Sequence, residues 1–208
     1  MKMKTDIVGI GHPRTGTGYT SAVLRSWGLQ VGHEKLKRNG VVAWELIKDE
    51  SPWLWLHKKQ ITDKYRPEHC HLIYNVRDPL HSIPSIIYTE DTNEESIEFR
   101  SRVLGFNRSS NPVEQAIDSI VEYDKKAKDI KPSIIYRVDH DTKHLYDYLK
   151  NYYDLLEYVG PSNKSVNTRT HSDLNSLEEY LNLCSSEHKD KIDSFCRFYE
   201  YPSIFEKL

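Results

Sequence analysis

Residues 9–18 read Gly-Ile-Gly-His-Pro-Arg-Thr-Gly-Thr-Gly, a glycine-rich stretch with a single cation, Arg14, inside it. In such a turn backbone N–H groups converge on an anion, and a helix starting behind it adds the positive end of its dipole. A second candidate anion site lies in Tyr74-Asn75-Val76-Arg77-Asp78-Pro79, with Ser85 eight positions after Arg77. The planar guanidinium of Arg77 can give two parallel hydrogen bonds to a phosphate. Three groups near the first loop could accept a proton: Glu34, its neighbour His33, and His12 inside the loop. Two candidate anion sites and a proton acceptor are the parts that group transfer from an anionic donor requires.

The two commonest cradles do not fit. In the nucleotide-kinase register that aligns Gly11 and Gly16, Thr17 stands where a Lys is required and Gly18 where a Mg²⁺-binding hydroxyl is required. In the dinucleotide register set by Gly9 and Gly11, Arg14 stands where the third glycine allows close helix packing. Pro13-Arg14-Thr15-Gly16-Thr17-Gly18-Tyr19 instead resembles the phosphosulfate loop of sulfotransferases that use 3′-phosphoadenosine-5′-phosphosulfate (PAPS). That loop runs Pro, Lys or Arg, Ser or Thr, Gly, then Ser or Thr. Val76-Arg77-Asp78-Pro79 with Ser85 resembles the 3′-phosphate motif of the same family.

The resemblance implies roles for these residues. Arg14, Thr15, Gly16, Thr17, Gly18 and Tyr19 would hold the phosphosulfate, and Arg77 and Ser85 the 3′-phosphate. A late basic loop, with Lys164 and Arg169, would close over the nucleotide. The base would be Glu34, twenty residues after Arg14 as in the Glu-type members, with His33 the second candidate. Arg14 would also stabilise charge on the bridging oxygen. PAPS is then the donor, 3′-phosphoadenosine-5′-phosphate (PAP) the product, and a carbohydrate or small-molecule hydroxyl or amine the acceptor. The reaction requires no metal. The chain departs from the cytosolic small-molecule enzymes in carrying Arg14 for their Lys and in lacking a clear counterpart of their catalytic His. A nucleotide or small-molecule kinase and a non-catalytic nucleotide-binding module are the competing readings.

Such sites need a sheet with helices behind it. Asp6–Ile10 reads as a strand, Tyr19–Trp27 as a helix stopped by Gly28, and Leu29–Gly32 as a second strand. Glu45–Tyr65 suggests a packed helix, on which Lys58 and Lys59 form a solvated face. His71–Val76 is the best central strand, β-branched and almost free of charge. Asp78 and Pro79 open a helix that Pro84 should kink. Asn93–Leu104, Pro112–Lys128, Asp141–Leu156 and Glu187–Tyr199 read as helices, Ser133–Val138 as a strand and Pro161–Asp173 as a loop. Strands separated by helices imply an α/β three-layer sandwich around a central parallel sheet, of the P-loop nucleotide-binding type. The 208 residues suit a single domain.

Composition bounds the partners. A net charge of −2 provides no basic field to hold nucleic acid. Leu, Ile, Val and Phe make up about a quarter of the chain, enough for a lean core that the 14 Tyr can complete with rings inside and hydroxyls at the rim. Cys70, Cys184 and Cys196 have no metal-binding spacing and leave one thiol over after any pairing, which points to a reducing, cytoplasmic setting. No run approaches the ~18 apolar residues of a membrane span. Lys35, Lys37 and Arg38 read as a solvated loop. Nothing in the composition sets an oligomeric state.

Overall fold

The computed structural model describes residues 4–48, 68–158 and 177–205. The chain divides into two compact units, Met1–Val76 with Ala127–Thr168, and Arg77–Lys126 with Arg169–Leu208. The first unit holds the sheet: β1 (Lys4–Ile10), β2 (Val31–His33), β3 (Gly40–Val42), β4 (Glu68–Val76) and β5 (Ile134–Arg137). The strands lie in the order β2-β3-β1-β4-β5 and every pair is parallel. The expected α/β class with a central parallel sheet is therefore what the chain forms.

Among the described residues of this unit, α1 (Thr17–Ser26) follows β1 and α5 (Thr142–Lys150) follows β5, and both flank the sheet. Val23, Leu24 and Trp27 from the α1 end, and Leu145, Tyr146 and Leu149 from α5, pack on Ile7, Val31, Val42, Ile73, Ile134 and Tyr136. The Trp27 and Tyr146 rings meet edge to face at 5.2 Å, a contact that adds roughly 1 kcal/mol to the area it buries. Val8, Ile10, Val41, Leu72, Tyr74 and Val76 are buried too, so the strands are apolar on both faces, as parallel strands require.

The second unit is helical. Asp78 caps α2 (Pro79–Ser85), its Oδ1 accepting from the Leu80 N–H at 2.9 Å, with Pro79 in the first turn as expected. Pro84 has no N–H and its ring crowds the carbonyl four residues back; the chain passes directly into a π-helical turn, Ile86–Glu90. Then come α3 (Glu94–Leu104), capped by Asn93, and α4 (Pro112–Asp129). Two helices close the unit, α6 (Glu178–Asn182) and α7 (Ser186–Phe198).

Several boundaries differ from expectation. The second strand lies at Val31–His33 rather than Leu29–Gly32, because Leu29 N–H bonds back to the Leu24 carbonyl and still belongs to the helix exit. The helix expected over Asp141–Leu156 ends at Lys150, where Asn151 Nδ2 turns onto the Asp147 and Tyr148 carbonyls. No helix separates β2 from β3; residues 34–39 make the whole connection. A short 3₁₀ turn at Trp44–Ile47 is the described part of the helix expected over Glu45–Tyr65, and Lys58 and Lys59 lie outside the described residues.

Candidate functional site

The loop between β1 and α1 emerges at the carboxyl ends of the strands. There the connection after β1 runs toward β2 and β3 on one side, and the connection after β4 runs toward β5 on the other. Open α/β sheets bind ligands at that switch point. Arg14 (φ 71°) and Gly16 (φ 94°) both have left-handed backbones, with Thr15 between them. Alternating hand in this way turns successive N–H groups to one side, the geometry of an anion nest. Gly16 caps α1 with no side chain, so the first-turn N–H groups of Thr17, Gly18 and Tyr19 have no side-chain cap from that position.

Thr15 ties the loop down. Its N–H and Oγ1 both donate to the His12 carbonyl, at 3.0 and 2.6 Å. The amide of Asn75, near the end of β4, donates to the Thr15 carbonyl at 2.9 Å and to its Oγ1 at 3.1 Å. Asn75 is fully buried. A Cβ on Gly11, the residue beside it, would lie 2.3 Å from Asn75 Nδ2, so only glycine allows this approach. Sequence reasoning gave Asn75 no role, although a polar residue inside the apolar run of β4 was its visible signal. His12 is buried, and its Nδ1–H donates to the Pro13 carbonyl at 2.7 Å, so it shapes the loop.

Further along α1, Thr20 Oγ1 donates to the Gly16 carbonyl at 3.0 Å and meets the buried Tyr136 hydroxyl. Burial pushes the Tyr19 hydroxyl above its ordinary pKa, against a hydrogen bond with Thr142 that lowers it.

His33 and Glu34 sit beside this loop. His33 Nε2 lies 3.1 Å from Thr17 Oγ1 and 3.7 Å from Glu34 Oε1. Strand alternation leads one to expect neighbouring side chains to point apart. They meet because Glu34 has left the strand: its φ is 53°, and its N–H is held by the Val42 carbonyl at 2.9 Å. The turn is tight enough that a Cβ on Gly32 would lie 1.6 Å from the Lys35 carbonyl oxygen. Burial holds the His33 pKa below its ordinary value; the Glu34 carboxylate opposes this and Arg25 reinforces it.

The remaining expected site residues lie on other segments of the chain. Arg77 follows the last residue of β4 and is half-buried, and Ser85 ends α2 and is buried. Both belong to the second unit. Lys164 and Arg169 lie outside the described residues. Among the described residues no three His, Cys, Asp or Glu side chains gather as a metal site, and no helix is long and apolar enough to cross a membrane.

No family model and no curated protein matches the sequence. Among solved structures, the mouse sulfotransferase SULT7A1 complexed with PAP is similar over 99% of this chain and 88% of its own, with 14% sequence identity and a TM-score of 0.42.

Proposed function

We propose that the chain transfers a sulfuryl group from PAPS to a hydroxyl or amine of a carbohydrate or small molecule. One observation carries this reading. The anion loop holds its cation, Arg14, on a left-handed backbone and lacks the Lys and Mg²⁺-binding hydroxyl of a kinase, while an imidazole–carboxylate pair meets Thr17 where the loop enters α1. Sulfuryl transfer needs such an anion cradle and a proton acceptor together.

The residues divide the work as follows. Arg14 and the N–H groups of Thr15 to Tyr19 bind the 5′-phosphosulfate and meet the charge that develops on its bridging oxygen. Asn75, through Thr15, keeps that cradle in shape. Arg77 and Ser85 bind the 3′-phosphate, a role supported by the sequence motif they belong to. One member of the adjacent His33–Glu34 pair receives the acceptor's proton. Lys164 and Arg169 cover the nucleotide. When bound, PAPS supplies an activated sulfuryl group with PAP as its leaving group.

Isothermal titration tests the reading. The chain should bind PAP and show no tight binding of Mg·ATP; the opposite pattern would return the loop to a kinase. Arg77→Ala should weaken PAP about 10- to 100-fold, the worth of a charge-assisted hydrogen bond. It should barely change the affinity for AMP, which has no 3′-phosphate. Equal losses for both nucleotides would remove Arg77 from its assigned role.

A further inference from the structure

His33 has two differently placed nitrogens. Nε2 faces Thr17 Oγ1 at 3.1 Å and Glu34 Oε1 at 3.7 Å. Nδ1 has no hydrogen-bond partner among the described residues, and the side chain is about one-third exposed. A neutral imidazole carries one N–H, and an ionised carboxylate only accepts. The Glu34 charge beside Nε2 therefore draws the ring proton to that nitrogen, from which it points at Thr17 Oγ1 and the carboxylate. Nδ1 keeps its lone pair. The ionisable groups acting on the ring are Glu34, on the turn after β2, and Arg25, on α1; burial, the largest influence, favours the neutral ring.

We propose that His33 Nδ1 takes the acceptor's proton, and that Glu34 and Thr17 are positioning residues that fix its tautomer. This rests on the sulfuryl-transfer reading above. As the acceptor oxygen closes on sulfur, its proton passes to Nδ1. The bond from sulfur to the bridging oxygen breaks, and its electron pair leaves with the 5′-phosphate. The imidazolium so formed has the Glu34 carboxylate 3.7 Å from Nε2 to stabilise it. Thr17 Oγ1, accepting from Nε2–H, keeps its own proton to donate to an anion on the loop. A neutral imidazole with a lone pair to offer suits a base working near pH 7.

Nitrogen-15 NMR of the intact chain labelled at histidine reads the tautomer, without nucleotide and with PAP. The wild-type ring should carry its proton on Nε2, and Glu34→Gln should raise the population protonated on Nδ1. A wild-type ring protonated on Nδ1 overturns the proposal. Turnover of radiolabelled PAPS with an extract as acceptor source supplies the second arm. His33→Asn should lose about 10²- to 10⁴-fold in kcat with PAP affinity unchanged. Glu34→Gln should lose about 10-fold, with the acid limb of its pH profile moved to lower pH, because the charge that raises the imidazole pKa is gone. A Glu34→Gln variant as inactive as His33→Asn, with no displaced limb, makes Glu34 the base and the proposal wrong. If His33→Asn fails to bind PAP, the wild-type tautomer decides. A wild-type chain that does not bind PAP ends the functional reading and this proposal with it; PAP binding with the wrong tautomer ends this proposal alone.

Discussion

Asn75 sits where two demands meet. Its Nδ2 supplies hydrogen bonds to both oxygens of Thr15, and its whole side chain is buried against Gly11. Asn75→Asp keeps the volume and replaces the donor with an acceptor. Two Thr15 oxygens would then face a carboxylate, and a buried charge would lie under the loop that carries Arg14. Losing a buried partner costs about 1–3 kcal/mol, and the buried charge adds to that or forces the group to stay protonated. Asn75→Ala removes the donor without the charge. Chemical denaturation should rank the variants wild type, Ala, Asp. PAP titration should show Asp weaker than Ala, and equal nucleotide affinities would show that Asn75 acts through packing alone. Arg14 and Glu34 share the same logic, both held at positive φ, a conformation worth about 1–2 kcal/mol of strain for a residue with a Cβ.

The connection between β2 and β3 is the element on which the meeting of His33 and Glu34 depends. Parallel strands usually need a crossover of about a dozen residues; here residues 34–39 suffice because each strand is only three residues long. Gly32 makes the reversal possible, since the Lys35 carbonyl occupies the place of its missing Cβ. Gly32→Ala should therefore displace the turn, moving the His33 ring signals and costing several kcal/mol. Gly105→Ala is the matched control: its φ is 84°, but nothing lies within 4 Å of the added carbon, so it should cost about 1 kcal/mol and leave His33 alone. If the two variants lost equal stability, the backbone clash at Gly32 would not be the cause. This connection also marks where the sequence was legible and where it was not. The β1 loop, the Asp78 cap and the apolar run of β4 announce themselves through glycines, a cap residue and continuous burial. A three-residue strand such as β3 carries no period to detect. The meeting of His33 with Glu34 depends on one φ angle that residue types do not reveal. Asn151, which stops α5 early, is an ordinary helix residue until its side chain turns back on the carbonyls.

At the scale of the molecule, pH collects these local environments into one stability curve. The tyrosines do build the core as the composition implies: Tyr74, Tyr123, Tyr136, Tyr146, Tyr199 and Tyr201 are all buried. The Tyr199 hydroxyl finds Asp124 at 2.6 Å, within the second unit. Burial raises the acids that are neutral at pH 7, with the Tyr153 hydroxyl pushed up to about 12, the Cys196 thiol to about 12 and the Cys184 thiol to about 11. Their protons stay on in the folded chain and leave the unfolded one above about pH 8.5 for thiols, so stability is full below that pH and falls as pH rises further. The carboxylates run the other way. The Ser185 backbone N–H, at 2.9 Å, holds the Glu114 pKa down, and an Arg137 hydrogen bond does the same for Asp141. A depressed folded pKa gives stability that is present above the unfolded value, about 4.3 for Glu, and is lost as pH falls through the folded one. The curve should thus be a dome with its plateau between about pH 5 and 8. Glu114→Gln probes its acid side. The amide still offers Ser185 an acceptor but carries no charge, and the neighbouring His188, with the Asp118 it meets and the Lys191 paired to Asp118, is unchanged. Denaturant midpoints of wild type and variant should therefore differ at pH 5 and converge as pH falls below about 4. A difference that stays constant down to pH 3 would mean that the Glu114 charge adds nothing beyond its hydrogen bond.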